Sequence, residues 1–278
     1  MIQLLAHGMV APLREMVAAT KAMANGDYSQ RVRATSQDEV GSLARSFNTM
    51  AARLDEVERQ RRELLANVSH ELRTPVAALR ARLENLADGI EVLDGEAVET
   101  MLKGTERLGR LVDQLLELAQ FESGGIRIDR LEFGVGEVVA DAAAEVRPVS
   151  TEIRIVTDIE DGLFAMGDPE RIHEVLTNLL TNAVRHSPAG GEVTVDATAR
   201  PGGGVRIEVR DQGTGVPAEA VERIFDRFYR AGTGPCPGSG GAGLGLAIAR
   251  SIVELHGGSI RADPRPPAGC RIIIDLPG

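Results

Sequence analysis

The sequence predicts a multidomain chain. An all-α N-terminal half, built from coiled-coil and hairpin helices, is followed by an α/β sandwich. Two patterns carry this expectation. Up to about residue 122, apolar residues recur at three- and four-residue steps, the period of a helix with one buried face. Beyond the hinge "ESGG" (Glu122 to Gly125), short β-branched runs bounded by Gly, Pro and Asp alternate with helical stretches. A length of 278 residues accommodates about two domains and connecting helices.

The first helix is expected from Pro12, since proline suits a first turn where its missing N–H costs nothing. Leu13, Met16, Val17, Thr20 and Met23 continue it, and Gly26 in "ANGDYSQRV" is the stop signal. Ser36 and Glu39 have the spacing of a capping box and should open the second helix. There Val40, Leu43, Phe47, Met50, Leu54 and Val57 step by three and four as a coiled-coil seam, which Arg61 interrupts. Leu64, Val68, Leu72 and Val76 then follow at consecutive steps of four, a stutter that locally unwinds a supercoil. Two helices, an extended connector and "DEVG" (Asp38 to Gly41) resemble a HAMP signal-relay module over residues 9–62.

After "ADGIEVLDG", the residues Val98, Met101, Leu102, Leu108, Leu111, Val112, Leu115 and Leu118 form another apolar face. Residues 63–124 therefore read as an antiparallel helical hairpin. A hairpin cannot bury two stripes alone, so a homodimer closing a four-helix bundle through residues 63–122 is expected.

Composition narrows the function classes. A net charge of −10 argues against general nucleic-acid binding, which needs a basic face. Cys236 and Cys270 make neither a disulfide framework nor a zinc site. No apolar run reaches the ~20 residues of a membrane span. The chain as written is expected to be soluble and cytoplasmic, and to meet the cytoplasmic face of a membrane only through an upstream segment.

One stretch breaks the helical pattern. In "NVSHELRTP", Pro75 withdraws the N–H that would bond the Glu71 carbonyl, and a bend is expected one turn after His70. At roughly 100° per residue, His70 lies about 200° from Val68 and about 160° from Leu72, so it faces away from the apolar seam. A solvent-facing imidazole with a pKa near ~6.5 is largely neutral at pH 7 and keeps a nucleophilic lone pair. Glu71 is adjacent and able to accept or direct a proton. Thr74 shares the His70 face. A lone exposed histidine is otherwise only surface decoration, and a phosphate donor elsewhere in the chain decides the matter.

In the second half, "IRIVTDI", "GLFAM", "EVTVDAT", "GVRIEVRD" and "CRIIIDL" read as strands. Asp168–Arg185, Val216–Tyr229 and Leu244–Leu255 read as helices. Three clusters lie among them. In "NLLTNAVRHS", Asn178, Asn182 and Arg185 share one helix face, offering neutral oxygens to Mg²⁺ and a guanidinium to phosphate. In "DQGTGVP", Asp211 can accept from an exocyclic amine, while Gly213 and Gly215 let a base approach the backbone. In "GSGGAGLGLAIAR", a glycine-rich loop runs into a helix start, a ready anion site. The preceding "GTGPCP" reads as a mobile lid. Each cluster has a plain alternative: a polar surface stripe, a tight turn, a flexible loop.

In order, and preceded by "SHELRTP", these clusters resemble a sensor histidine kinase of a two-component system, with "FDRFYR" and "GLGLAIA" as further matching motifs. The resemblance implies a Bergerat-type ATP-binding domain over residues 125–278. It implies His70 as phosphoacceptor, Glu71 as base or orienter of its ring, and Thr74 as the residue that positions water for phosphatase action. It implies Asn182 as the Mg²⁺ ligand, Asn178 and Arg185 as polyphosphate contacts, and His186 as a ring beside adenine. Asp211 would read adenine above Gly213 and Gly215. Gly241, Gly243, Leu244 and Gly245 would form the phosphate loop, and Arg227 or Arg230 would reach the γ-phosphate. Phe225 and Phe228 would seat the lid by packing. The implied ligands are ATP and Mg²⁺, and the implied partner is a response regulator receiver domain. Ala242 and the Cys236-containing lid depart mildly from the pattern without removing a needed side chain.

Two other functions stay in view. One is a phosphatase or dimeric scaffold that uses ATP as a conformational ligand. The other is an ATPase of the gyrase or chaperone type, which places a glutamate base where this chain has Asn178.

Overall fold

The computed structural model describes residues 2–34, 36–122, 128–147, 152–230, 242–264 and 269–278. The chain divides into two compact units, residues 1–74 and 75–278.

In the first unit, α1 spans Ile2–Ala24 and α2 opens at Glu39, running to Ala87. Helix α1 starts well before Pro12, which therefore lies inside the helix rather than in its first turn. The segment from Ile2 to Met9 is helical, and one missing N–H does not outweigh the turns on either side. Gly26 ends α1 as expected: Gly26 N–H bonds Met23 O (2.9 Å) and Asp27 N–H bonds Ala22 O (3.0 Å), the paired bonds of a Schellman turn. The cap of α2 is Asp38, not Ser36. Its Oδ1 accepts from Gly41 N–H at 3.0 Å, while Ser36 Oγ accepts from Asp38 N–H at 3.3 Å. A carboxylate nearer the first turn satisfies the helix donors better than the hydroxyl two residues earlier.

The connector is clamped to both helices. Val32, only 3% exposed, packs with Met16, Ala19 and Ala44, and Phe47 closes the cluster. Asn48 of α2 holds the Val32 backbone on both sides, accepting from its N–H (2.9 Å) and donating to its carbonyl (2.8 Å). Gly41 is required where the connector meets α2, because a Cβ there would stand 1.8 Å from the Ser36 carbonyl oxygen. Gly41→Ala is expected to cost about 1–3 kcal/mol as an overpacking change, read as a lower denaturation midpoint. An unchanged midpoint would show that the connector yields freely.

Pro75 lies inside α2. The seam residues Leu43, Met50, Leu54 and Val57 are exposed in the single chain.

In the second unit, α3 spans Gly95–Glu122. Asp94 caps it, accepting from Ala97 N–H at 2.7 Å. Leu79 of α2 lies against Gly104 of α3, as in a hairpin. Leu111 and Leu118 are buried, whereas Leu83, Leu102, Val112 and Leu116 remain exposed.

The α/β part follows as β1 (Leu131–Gly134), α4 (Val135–Val146), β2 (Arg154–Ile159), β3 (Phe164–Gly167), α5 (Pro169–His186), β4 (Glu192–Ala199), β5 (Val205–Arg210), α6 (Gly245–Leu255), β6 (Ser259–Pro264) and β7 (Cys270–Leu276). Five strands form a mixed sheet in the order β2-β4-β5-β7-β6, with only β2 and β4 parallel. β1 pairs with β3 separately, antiparallel. Helices α4, α5 and α6 pack side by side against the sheet, giving the two layers expected. Ile172, Val175, Leu176, Leu179, Leu180, Ile248 and Ile252 of the helices meet Val193, Val195, Ile207, Ile272 and Ile274 in the core. The opposite sheet face is charged. On it Asp275 bonds Arg206 and Arg261 at 2.7 Å each; burial alone would raise its pKa, and the two guanidiniums lower it instead.

Four elements differ from the sequence reading. The strand β1 with helix α4, and the strand β6, were not expected. Conversely, Val216–Tyr229 is not one helix but two short 3₁₀ turns, Ala218–Ala220 and Arg223–Phe225. Phe228 adopts a left-handed φ of 60°, which no continuous right-handed helix permits. Among the described residues, no helix is long and apolar enough to cross a membrane.

Candidate functional site

The site is built on α5. Asp168 caps the helix, accepting from Glu170 and Arg171 N–H groups at 3.2 and 3.3 Å, with Pro169 in the first turn. Seven residues from Ile172 to Val184 bury one face, which turns the face carrying Asn178, Asn182 and Arg185 outward from the core. Asn178 reaches the start of α6: a Cβ on Gly245 would stand 3.0 Å from its Oδ1. A Cβ there would make the Asn178 amide give by a few tenths of an ångström. Among the described residues no side chain caps the first turn of α6, which leaves its N–H groups suited to an anion. Leu244 is fully buried, which limits its contribution to an anion to its backbone.

At the end of β5, Asp211 is fixed by its Oδ1, which accepts from Gly213 N–H (2.8 Å) and Cys270 N–H (3.1 Å). Among the described residues nothing bonds its Oδ2. Gly213 packs on the end of α5, since a Cβ there would lie 2.4 Å from the His186 carbonyl oxygen. The structure thus brings Asp211, Gly213, His186, Asn178 and Gly245 to one edge of the helix–sheet sandwich. Gly215 sits beyond Gly213 and against Gly269. Gly243 (φ 72°) accepts from Phe228 N–H at 2.9 Å and so ties the "FDRFYR" segment to the approach of α6. Phe225 is buried, and the Arg223 guanidinium stacks 4.5 Å above the Tyr229 ring. Arg227 is half-buried and Arg230 exposed. Gly241, Cys236 and the expected lid lie outside the described residues.

The site is electropositive. Burial lowers the Arg185 pKa, and the charges of Arg230, Arg107 and Arg110 lower it further. Burial and the same Arg185 and Arg230 charges hold His186 below the usual imidazole value, against a weaker opposing pull from Asp211. His186 is therefore a neutral ring at pH 7. Burial and the Asp211 charge push the Cys270 thiol up to about 12, which makes it inert.

His70, Glu71 and Thr74 lie on α2. His70 and Thr74 are exposed and Glu71 is half-buried. The Thr74 hydroxyl donates to the His70 carbonyl at 3.3 Å, leaving its lone pairs directed outward.

Sequence reasoning missed three contributors. The Cys270 backbone N–H fixes Asp211 from the next strand, a partner with no side-chain signature. His256 is buried; its Nε2 accepts from Asp168 N–H (2.9 Å), so Nδ1 carries the proton and donates to Ile252 O (2.8 Å). This neutral ring ties the cap of α5 to the end of α6, and its place before "GG" was the only available signal. The third is α3: Glu117 bonds Arg171 at 2.8 Å, while Arg171 also holds Glu174 at 2.9 Å.

Two carboxylates share that guanidinium. Burial and the Glu174 carboxylate push Glu117 up to about 7, against the pull of Arg171. Below the ordinary carboxylate value of 4.5 both folded and unfolded chains are protonated there and the stabilising contribution is complete; it is lost as pH rises through about 7. Glu117→Gln is expected to gain stability on the parent between pH 5 and 8, roughly. A difference in unfolding midpoint that does not change with pH would count against this.

Family comparisons agree with the geometry. The model of the HAMP domain matches residues 4–56, that of the His Kinase A (phospho-acceptor) domain residues 60–124, and that of the histidine kinase-, DNA gyrase B- and HSP90-like ATPases residues 167–278. The signal transduction histidine-protein kinase BaeS of Escherichia coli (strain K12) is 36% identical over 276 residues, covering 99% of this chain. The chain spans 59% of the length of that relative. The solved structure of the Acinetobacter baumannii histidine kinase AdeS superposes with a TM-score of 0.63 at 26% identity, covering 75% of this chain and 97% of AdeS. Full-length ShkA, solved in complex with AMPPNP, gives 0.55 at 28% identity, covering 77% of this chain and 45% of ShkA. Three domain types in this order, on a helical half followed by the α/β sandwich, identify the chain: it belongs to the sensor histidine kinases of two-component systems.

Proposed function

We propose that the chain is an ATP-dependent protein-histidine kinase that phosphorylates His70 and passes the phosphoryl group to an aspartate of a response regulator receiver domain, with phosphatase activity toward that partner. The observation that supports this reading is the edge where Gly213, bonded to Asp211, packs on the end of α5 and Asn178 of α5 meets the start of α6; Asn182 and Arg185 follow Asn178 on the same helix at four- and three-residue steps. A carboxylate at one end suits the adenine amine, and amides, a guanidinium and helix N–H groups at the other suit a polyphosphate. Phosphoryl transfer needs little beyond positioning and neutralisation of charge.

Mg²⁺ would supply neutralisation of the phosphate oxygens. Asn182 is the side chain proposed to ligate it, and a lone neutral amide fits an ion that takes its other ligands from water and phosphate. His186, neutral beside Asp211, is proposed to flank the base. Arg227 or Arg230 is proposed for the γ-phosphate, and Thr74 for holding the water of the phosphatase reaction.

The functional parts are proposed as 9–62 for signal relay, 63–124 for dimerisation and phosphotransfer, and 125–278 for ATP binding. The exposed Leu83, Leu102, Val112 and Leu116 support a homodimer through 63–122. The proposed site of action is the cytoplasm, with any membrane anchor belonging to a longer protein.

Incubation with γ-labelled ATP and Mg²⁺ tests the reading. The expected product is a label on the chain that is labile to acid and stable to alkali. Free phosphate without a labelled chain would instead indicate an ATPase of the gyrase or chaperone type.

A further inference from the structure

The loop from Asp211 to Gly215 is braced by three neighbouring elements. Asp211 is locked to the start of β7 by a reciprocal pair of bonds: its N–H donates to the Cys270 carbonyl (3.0 Å), and its Oδ1 accepts from the Cys270 N–H (3.1 Å). Gln212 is tied to β4, its Oε1 accepting from the Glu192 N–H at 3.1 Å. Gly213 lies against the His186 carbonyl at the end of α5, and its N–H gives Oδ1 a second donor at 2.8 Å. Gly215 closes the loop on the Gly269 carbonyl oxygen, which a Cβ on Gly215 would approach to 2.9 Å. Oδ1 is thus committed to the backbone, and Oδ2 is the carboxylate atom left for a ligand.

One residue touches both ends of this loop. Gly269 directly precedes β7, is buried, and has a φ of 102°, which L side chains rarely adopt. A Cβ on it would stand 2.1 Å from the Asp211 carbonyl oxygen and 3.1 Å from the carbonyl carbon. These are backbone atoms at the end of β5, and they cannot turn aside as the tip of a side chain would. A side chain at 269 therefore parts the Asp211 peptide from the start of β7 and strains the bonds to Cys270. That shift re-aims Oδ2, because the N–H groups on Oδ1 set the plane of the carboxylate. A carboxylate oxygen only accepts hydrogen bonds. Held in one direction, Oδ2 favours the exocyclic amine of adenine and disfavours the carbonyl of guanine; free to swing, it loses both effects.

We propose that Gly269 is a positioning residue for base recognition: it lets the start of β7 come into contact with Asp211 and Gly215, and so fixes the direction of Oδ2 and the preference for adenine over guanine. The proposal rests on the reading of Asp211 as the group that meets the base. It adds to that reading a determinant with no side chain, on a different strand connection from the carboxylate it aims.

Titration of the full chain with non-hydrolysable analogues of ATP and GTP and with inorganic tripolyphosphate tests it. In Gly269→Ala, affinity for the ATP analogue is expected to fall about tenfold or more, as for a broken polar pairing, with the GTP analogue and tripolyphosphate within about twofold of the parent. On an Asp211→Asn background the same change should add less than about twofold, because both substitutions remove one interaction. If Asp211→Asn weakens binding but Gly269→Ala leaves the ATP analogue within about twofold, or if the two losses multiply, the proposal is overturned and the nucleotide site stands. A parallel fall for all three ligands with a lower unfolding midpoint also overturns it, because that marks a structural role alone. Should Gly269→Ala not fold, amide exchange in the parent decides. The ATP analogue is expected to slow exchange of the Cys270 N–H and tripolyphosphate is not; equal slowing by both, or by neither, overturns the proposal. If Asp211→Asn leaves ATP-analogue affinity intact, the proposal falls with the reading beneath it.

Discussion

His70→Gln is expected to abolish the phosphoryl label on the chain while leaving nucleotide affinity unchanged and stability within about 0.5 kcal/mol of the parent. The side chain is exposed on α2, and among the described residues its ring makes no hydrogen bond or ion pair. Nothing in the fold therefore depends on it. The proposed chemistry does. In it, an imidazole nitrogen attacks the γ-phosphorus, the bond to the bridging oxygen breaks, and ADP leaves with that electron pair. The ring proton is left for a neighbouring base, the role proposed for Glu71. Glutamine has similar reach and polarity, but its amide lone pair is delocalised and does not attack. Glu71→Gln should slow labelling without ending it. A label that persisted in His70→Gln would place the phosphoacceptor elsewhere. A large fall in stability would mean that the exposed ring has a structural role this geometry does not contain.

Which parts could be read from the sequence follows from how local each signal is. The α5 face was legible because Asn178, Asn182 and Arg185 recur at helical spacing and the buried residues between them share the same period. The outward phase of His70 followed from the same arithmetic. Gly26 was legible as a stop because its turn closes on residues a few places earlier. Where competing local signals overlapped, the reading slipped: Ser36 and Asp38 both suit a cap, and the geometry of the connector selects Asp38. The stretch Val216–Tyr229 kept a helical apolar rhythm, yet its end is bound to Gly243, and that long-range bond sets Phe228 in a left-handed turn. β6 was overlooked because "SIRADP" alternates only weakly, with Ile260 its one large apolar residue and a proline at its end; it is a strand because β7 pairs with it. Contacts from distant segments, such as Cys270 N–H on Asp211 and α3 on Arg171, leave no trace in local spacing.

Asp211→Asn is expected to weaken binding of adenine nucleotide by about 10- to 100-fold, the 1–3 kcal/mol lost when a half-buried polar pairing is broken. The substitution isolates one atom. The amide oxygen can still accept from Gly213 and Cys270 N–H groups, so the loop after β5 keeps its shape. The other carboxylate oxygen becomes an NH₂ group. It then faces the exocyclic amine of adenine as donor against donor, and an acceptor has been replaced by a repulsive contact. Guanine presents a carbonyl oxygen at the corresponding ring position, so the same change should narrow the preference for adenine over guanine nucleotides. Asp211→Ala removes both functions: the two backbone N–H groups lose their acceptor, and the loop itself should loosen, lowering stability as well as affinity. The contrast between the variants separates recognition from support. If Asn and Ala weaken binding and stability alike, Asp211 acts only as a brace for its loop. If Asn leaves adenine affinity intact, the base is read by some other group along that edge, and the alignment of polyphosphate toward Arg185 must be set from the phosphate end alone.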